Sequence, residues 1–385
     1  MIEVTANLCR GTVFLAGEVL ECSVTISCRE GNGQGSRGGK SLAWASAQLH
    51  CQCHVSESKV KVPTERKTED VDLTQSTGYT SFVPSRGEKG VCILSTTPKI
   101  LCCDVHLRPG DSKTFLYRET IPSDAPPSFR GQAVKYSYKV TIGTQRVNSP
   151  IKLLRVPFRV LVLYGLGDTS FMEDEDQVDT SNPFLEGQKT RNTLLDTAVQ
   201  ILATVTSRKS PNSYNVSNPN GTVARFCLFK PAYKLGEDII GTIDFSISTI
   251  PCLQYSVVLQ CDEHIADECQ GQQYNGITSI SKHQEFCLHM TKSHVVLPIP
   301  LHATPGFITD IVCLKWRLHF EFITAKEPLP DQVTPADQSE SALWQGPENI
   351  AVDTLVWNLP IKILPMNPIQ ATSAATVRTP MSITI

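Results

Sequence analysis

A nine-residue pattern of proline and aromatic residues occurs twice in this chain and strongly restricts how it folds. The first copy, 121–129, reads IPSDAPPSF, and the second, 299–307, reads IPLHATPGF. The ninth residue after each final Phe is a large aromatic residue, Tyr138 or Trp316. Proline fixes φ and lacks a backbone donor, so each copy predicts a stiff, irregular approach to a strand. The repetition predicts two copies of one folding unit.

The segment that follows each copy alternates between apolar and polar residues. The apolar positions are Val134, Tyr136, Tyr138, Val140 and Ile142 in the first copy, and Val312, Leu314, Trp316, Leu318 and Phe320 in the second. Alternation with β-branched and aromatic residues indicates a strand that is buried on one face.

Two further landmarks repeat in the same order. An aromatic residue stands three positions before a Gly-Glu pair at Gly17-Glu18 and again at Gly236-Glu237, where glycine favours a turn between strands. Each unit closes on a similar run, VPFRVL at 156–161 and LPIKIL at 359–364. The alternative is two unrelated β domains that share ordinary proline and glycine punctuation.

The size and charge of the chain fit this organisation. A length of 385 residues accommodates two units of about 150 residues each, which is long enough for a full core. The formal charge of −3 gives no electrostatic reason to expect nucleic acid as the main partner. No run approaches eighteen apolar residues, and the first residues, MIEVTANLCRG, do not resemble a signal peptide. We therefore expect a cytoplasmic protein whose 14 cysteines are free thiols.

The predicted organisation has four parts. Residues 1–165 form an N-terminal sandwich, 166–222 an acidic linker with a helix near 193–206, 223–366 a C-terminal sandwich, and 367–385 a flexible tail. The linker contains the acidic run FMEDEDQVD, whose self-repulsion extends it. The tail is rich in Ser, Thr, Ala and Pro, which predicts disorder when the protein is alone.

The predicted linker helix has an apolar stripe. Leu195, Val199 and Leu202 recur at helical spacing, and Asn192 or Thr193 provides a cap. The stripe either lies on one of the sandwiches or docks on a partner protein.

The chain lacks a recognisable catalytic motif. A glycine-rich stretch before Lys40-Ser41 imitates a phosphate-binding loop, but Gln34 stands where its first glycine is required. The run His50–His54, HCQCH, places cysteines and histidines on opposite faces of a strand, and no Cys-x-x-Cys pair completes a zinc site. We expect no catalytic residues, no cofactor and no bound metal.

The two patterned halves resemble a known architecture. Tandem units of short strands, each with an aromatic-x-x-Gly-Glu turn and a proline-rich approach to a central strand, look like the arrestin fold. The predicted fold class is therefore all-β, with two tandem arrestin-like antiparallel β-sandwich domains and a linker carrying one helix.

A closer resemblance extends over nearly the whole chain. RGTVFLAGE, FRGQAVKYSYKVTIG, LPIPLHATPGF and VCLKWRLHFEF strongly resemble the retrograde Golgi transport protein homologue family. The resemblance implies a non-catalytic subunit of a two-subunit guanine-nucleotide exchange complex, with a large β-propeller subunit as partner and a Rab-six class GTPase as target. It also implies a cytosolic protein that is recruited peripherally to Golgi membranes. The alternative is an arrestin-type cargo adaptor that binds membrane-protein tails.

The second alternating strand offers candidate partner contacts. Lys315, Arg317 and His319 lie on the face opposite Trp316. A solvated back of the strand is the simpler interpretation, and a contact surface for a partner is the other. With the helix stripe, these residues complete the set of candidate partner-binding positions: Leu195, Val199, Leu202, Lys315, Arg317 and His319.

Overall fold

The computed structural model describes residues 1–29, 40–61, 82–163, 193–207, 211–327, 349–374 and 380–385. Within these ranges the strands form four sheets that pack in pairs as two β-sandwiches. The all-β prediction is thus confirmed. The glycine-rich insertion before Lys40, the acidic run of the linker and most of the polar loop at 56–80 lie outside the described residues.

The first half of the chain supplies ten strands within the described ranges. They are β1 (Ile2–Leu8), β2 (Val13–Leu15), β3 (Val19–Cys28), β4 (Lys40–Val55), β5 (Val91–Ser95), β6 (Lys99–Leu107), β7 (Ser112–Thr120), β8 (Phe129–Arg130), β9 (Val134–Gln145) and β10 (Lys152–Leu161). Helix α1 (Thr193–Val205) follows.

The second half repeats this pattern. Its strands are β11 (Asn212–Asn218), β12 (Gly221–Leu228), β13 (Ala232–Lys234), β14 (Asp238–Asp244), β15 (Cys252–Ile265), β16 (Ile277–Phe286), β17 (Lys292–Pro298), β18 (Phe307–Ile308), β19 (Val312–Ala325) and β20 (Val352–Leu364). A 3-10 turn (Asp267–Cys269) precedes β16, and helix α2 (Pro368–Ala374) and strand β21 (Met381–Thr384) end the chain.

The two sandwiches share one strand order. The larger sheets run β2-β10-β9-β4-β5 and β13-β20-β19-β15-β16, and the smaller sheets run β21-β1-β3-β7 and β11-β12-β14-β17. The short strands β2 and β13 pair in parallel with β10 and β20, whereas the other strand pairs are antiparallel. Two unrelated β domains would not share this order, so the repeat predicted from the sequence is structural.

The proline-aromatic pattern occupies the same place in both sandwiches. Phe129 and Phe307 each pair with the residue seven positions later, Tyr136 and Leu314. The Tyr138 hydroxyl donates to the Pro126 carbonyl at 2.5 Å, and the Trp316 indole donates to the Thr304 carbonyl at 3.1 Å. Each aromatic side chain thus reaches back twelve residues to hold the irregular approach against its own strand.

The Gly-Glu pair also has a common structural cause. Gly17 and Gly236 have φ of 88° and 84°, a left-handed conformation that glycine adopts without steric cost. The glutamate that follows accepts the backbone N–H three residues earlier, at 2.6 Å in the first sandwich and 3.0 Å in the second. The carboxylate therefore closes the turn in both units.

The repeated landmarks meet at one point of each sandwich. Gly17 donates to the Ile121 carbonyl at 2.9 Å, and Gly236 donates to the Ile299 carbonyl at 3.0 Å. Leu161 is the last residue of the closing run. Its carbonyl accepts a hydrogen bond from the N–H of Ala16, the residue before the glycine, at 2.9 Å. The sequence landmarks recur together because they build one junction of turn, proline approach and closing strand.

The alternating strand β19 has the faces predicted from its sequence. Leu314, Trp316, Leu318, Phe320 and Phe322 are buried, whereas Lys315, Arg317, His319 and Glu321 are exposed or half-buried. Phe320 packs on Phe226 of the opposite sheet with ring centroids 4.8 Å apart. The inner face of β19 is thus the centre of the second core.

The two sandwiches share a continuous contact. Phe129 and Phe307 lie edge to face with centroids 5.0 Å apart, so the two proline-aromatic patterns touch each other. Ile265 and Val312 of the second sandwich belong to the apolar core of the first. The buried carboxylate of Glu263 accepts three backbone N–H groups of residues 132–134, at 2.5, 3.0 and 2.9 Å.

The ends of the linker and of the chain differ from the sequence prediction. Strand β11 begins at Asn212, within the predicted linker 166–222, and pairs with β12 as part of the second sandwich. The tail, for which disorder was expected, contains α2 and β21, and β21 pairs with the edge strand β1 of the first sandwich. Sequence composition missed this strand because its stabilising partner lies at the other end of the chain.

Candidate interaction surfaces

Helix α1 packs on the first sandwich. Leu195 and Ala198 are buried in a small cluster with Val13, Leu15 and Leu161, and Leu202 is also buried. The first of the two interpretations of the stripe therefore fits the structure. Leu195 and Leu202 are buried within this chain, so these two candidates do not face a partner. Of the three predicted stripe residues, Val199 remains accessible, with 37% of its surface exposed.

The outer face of the first large sheet lies beneath a loop of the same chain. We define the first outer face by His50, Lys139, Thr141 and Arg155, which point away from the core on neighbouring strands. The segment Phe82–Gly90 crosses it. Thr141 is fully buried, and Lys139 is paired with this loop.

The loop is fixed at both of its ends. A Cβ added to Gly143 would lie 2.4 Å from the Phe82 ring, so the aromatic ring occupies space that a side chain would fill. Phe82 also packs edge to face on Trp44, with centroids 6.1 Å apart. At the other end, Glu88 pairs with Lys139 and lies 3.1 Å from the Arg155 Nε.

Charges beneath the loop are tightly coupled. Burial alone would raise the pKa of Glu88, but the hydrogen bond and charge of Lys139, together with Arg155 and His50, bring this pKa below its ordinary value. Burial lowers the pKa of His50, although its Nε2 lies 3.5 Å from the carboxylate of Glu88. The imidazole is therefore held neutral in a site that favours the ionised carboxylate.

The corresponding face of the second sandwich is accessible in the part of the chain that the structure describes. We define the second outer face by Lys315, Arg317, His319, Val356 and Asn358 on β19 and β20. Its polar groups bond to one another: the Arg317 Nε donates to the Gln260 Oε1 at 3.0 Å, and the His319 Nδ1 lies 2.8 Å from the Asn358 Oδ1. The predicted candidates Lys315, Arg317 and His319 are thus brought together on one accessible surface.

Full or partial burial raises the pKa of three thiols in this fold. Burial raises the pKa of Cys22 and of Cys51 to about 12, and that of Cys261 to about 11. These thiols stay protonated near neutral pH and behave as small apolar groups. Among the described residues, no three His, Cys, Asp or Glu side chains are placed to hold a metal ion together.

The sequence analysis missed two acidic residues that organise this molecule. Glu88 and Glu263 each stand alone in the sequence, and their partners are distant residues: Lys139 and Arg155 for the first, and the backbone of 132–134 for the second. No local motif marks such a position. A weak signal precedes Glu88, where Gly87 with a φ of 77° identifies an ordered turn.

None of the helices that the structure describes is both long and apolar enough to cross a membrane. The described surfaces are instead sheet faces and edges, on two sandwiches joined through Glu263 and the Phe129–Phe307 contact. These features define a tandem β-sandwich protein with surfaces suited to protein–protein contact.

Comparison with known proteins identifies the family of this chain. The Rgp1 family matches residues 40–168 and 167–325. A human protein, RAB6A-GEF complex partner protein 2, is 51% identical over 395 aligned residues, covering 100% of both chains. The cattle protein of the same name is 52% identical over 372 residues, covering 94% of this chain and 93% of its own length. The chain belongs to the Rgp1 family.

Proposed function

We propose that this chain is the non-catalytic subunit of a two-subunit guanine-nucleotide exchange complex that acts on a Rab-six class GTPase in retrograde endosome-to-Golgi traffic. The supporting observation is 51% identity over the full length of a human protein named as a partner in a RAB6A-GEF complex. The other subunit is a large β-propeller protein. The complex, rather than a membrane-spanning helix, brings this cytosolic chain to the Golgi surface.

An exchange factor acts through differential binding. It must bind the nucleotide-free GTPase more tightly than the loaded form, and that difference in affinity releases the nucleotide. The switch loops of a GTPase are held in order by contacts with the nucleotide and Mg²⁺, so an exchange factor must bind them in another arrangement. Two sandwiches joined by a buried carboxylate and a shared apolar core provide a support for the large subunit.

Nucleotide release from a purified Rab-six GTPase tests this function. The isolated chain should leave release at its intrinsic rate, and addition of the large subunit should accelerate it. The control is the large subunit alone, which should be less stable or less active without its partner. Acceleration by the isolated chain would contradict the non-catalytic role.

The alternative, a cargo adaptor, makes a different prediction. An adaptor binds short peptides at a sheet edge by itself. The edge of β1 is already paired with β21, through main-chain contacts that include the Ile385 N–H on the Ile2 carbonyl at 2.8 Å. Direct binding of membrane-protein tail peptides to the isolated chain, with no stable complex with the large subunit, would favour the adaptor.

A further inference from the structure

The two outer faces occupy equivalent positions in the repeat. Tyr138 pairs with Cys51 and Phe158, and Trp316 pairs with Cys261 and Ile361. Counting along the strands from these pairs, Lys139 of the first sandwich corresponds to Arg317 of the second. By the same count, Arg155 corresponds to Asn358, Leu153 to Val356 and Gly143 to Glu321.

The loop on the first outer face shows what this surface binds. Phe82 fills the space above Gly143, beside Leu153 on the neighbouring strand. Six residues after Phe82, Glu88 forms ion pairs with Lys139 and Arg155. Arg155 also donates from its terminal nitrogen to the Arg86 carbonyl at 2.5 Å, so the face binds the loop backbone as well. The occupant is a segment with turns at 84–87 that carries an apolar ring and a carboxylate.

In the part of the chain that the structure describes, the second outer face is accessible, and it carries Glu321 at the place of Gly143 and Asn358 at the place of Arg155. Val356, at the place of Leu153, is 50% exposed. Arg317, at the place of Lys139, bonds to a neutral amide instead of a carboxylate. At the outward-facing positions of β15, β16, β19 and β20, four basic side chains stand against two acidic ones: Lys282, Lys315, Arg317 and Lys362 against Asp262 and Glu321. A carboxylate from outside the chain is the complementary ligand.

We infer that the second outer face is the docking surface for a carboxylate-bearing segment of the large subunit. This inference rests on the proposed function, because it names the surface by which the chain joins its partner. An apolar residue of the segment covers Val356, and its carboxylate meets Arg317.

Equilibrium binding of the purified full chain to the purified large subunit tests the inference. Arg317→Glu and Val356→Asp should each weaken binding at least about tenfold, because one reverses the charge that meets the carboxylate and the other places a charge in the apolar contact. Lys315→Glu, at an exposed position, should also weaken binding and does not disturb the Gln260 contact. Added salt should weaken the wild-type complex more than the Arg317→Glu complex.

Matched controls lie on the other sheet of the same sandwich. Arg225 donates to the Asn215 side chain at 3.1 Å, as Arg317 does to Gln260, and Val296 is 48% exposed. Arg225→Glu and Val296→Asp should change the dissociation constant less than about twofold. If every variant unfolds within a few degrees of the wild-type temperature, the substitutions changed binding and not folding.

Three negative outcomes lead to two distinguishable conclusions. Wild-type chain that binds the large subunit, with all three face variants binding equally well, would overturn the docking surface and leave the proposed function intact. Equal losses in the face and control variants would likewise overturn it. Wild-type chain that does not bind the large subunit would overturn the proposed function, and the docking surface with it.

Discussion

At the scale of single residues, Trp316 shows how one side chain supports both a core and a turn. It is 3% exposed, packs in the second core and donates to the Thr304 carbonyl. Trp316→Ala should lower the free energy of unfolding by about 3–5 kcal/mol, through lost packing and a residual cavity. Arg317→Ala, on the other face of β19, should cost no more than about 1 kcal/mol, for one partly exposed hydrogen bond. Chemical denaturation measures both, and similar losses would mean that the strand faces are misassigned.

His50 gives the first sandwich a predicted dependence on pH. Its pKa is lower in the folded chain than its ordinary 6.5, so between these values the unfolded chain binds more protons. Stability should therefore be complete above pH 6.5 and decline as the pH falls below it, by at most about 1.4 kcal/mol per pH unit. The pKa of Glu88 is also lowered, so Glu88 contributes a further loss of stability only when the pH falls below 4.5, its ordinary pKa.

Denaturation at several pH values checks this expectation. His50→Gln removes the titrating group from beneath Glu88, Lys139 and Arg155, so its stability should vary less between pH 6.5 and 5. His106→Gln, on an exposed position of β6, is the control and should keep the wild-type slope. A His50→Gln profile parallel to that of the wild type would show that other groups cause the dependence.

At the scale of elements, helix α1 is fixed by one stripe and exposes another. Leu195→Ala should destabilise the first sandwich by about 2–4 kcal/mol, because Leu195 is buried with Val13, Leu15 and Leu161. Val199→Asp should cost less than about 0.5 kcal/mol, because Val199 faces solvent. Thermal unfolding separates the two variants. Assembly with the large subunit by the stable Val199→Asp variant then tests the remaining predicted contact of this helix.

At the scale of the whole molecule, Glu263 joins the two sandwiches. Glu263→Gln turns one acceptor into a donor beside the N–H groups of residues 132–134 and should cost about 2–4 kcal/mol. Calorimetry should resolve two unfolding transitions in this variant, because the sandwiches lose a shared contact. The neighbouring Asp262→Asn, which lies on the outer face, should leave the wild-type profile unchanged. A single unchanged transition in Glu263→Gln would show that the apolar contact alone unites the sandwiches.

The sequence by itself determined the repeated unit and the inner faces of its strands. Period-two alternation around Tyr138 and Trp316 fixes which side chains are buried, because successive residues of a strand point to opposite sides. The Gly-Glu turns could also be predicted from the sequence. The glycine adopts the left-handed conformation, and the carboxylate of the next residue closes the turn. These features depend on neighbours within a few positions.

The tertiary structure alone decided what covers each surface. Glu88 lies on Lys139 after a separation of 51 residues, Glu263 reaches the backbone of 132–134, and β21 pairs with β1 across nearly the whole chain. Composition predicted disorder for the tail because it carries no information on contacts between distant segments. In the part of the chain that the structure describes, the loop Phe82–Gly90 covers the first outer face, whereas the second outer face is accessible.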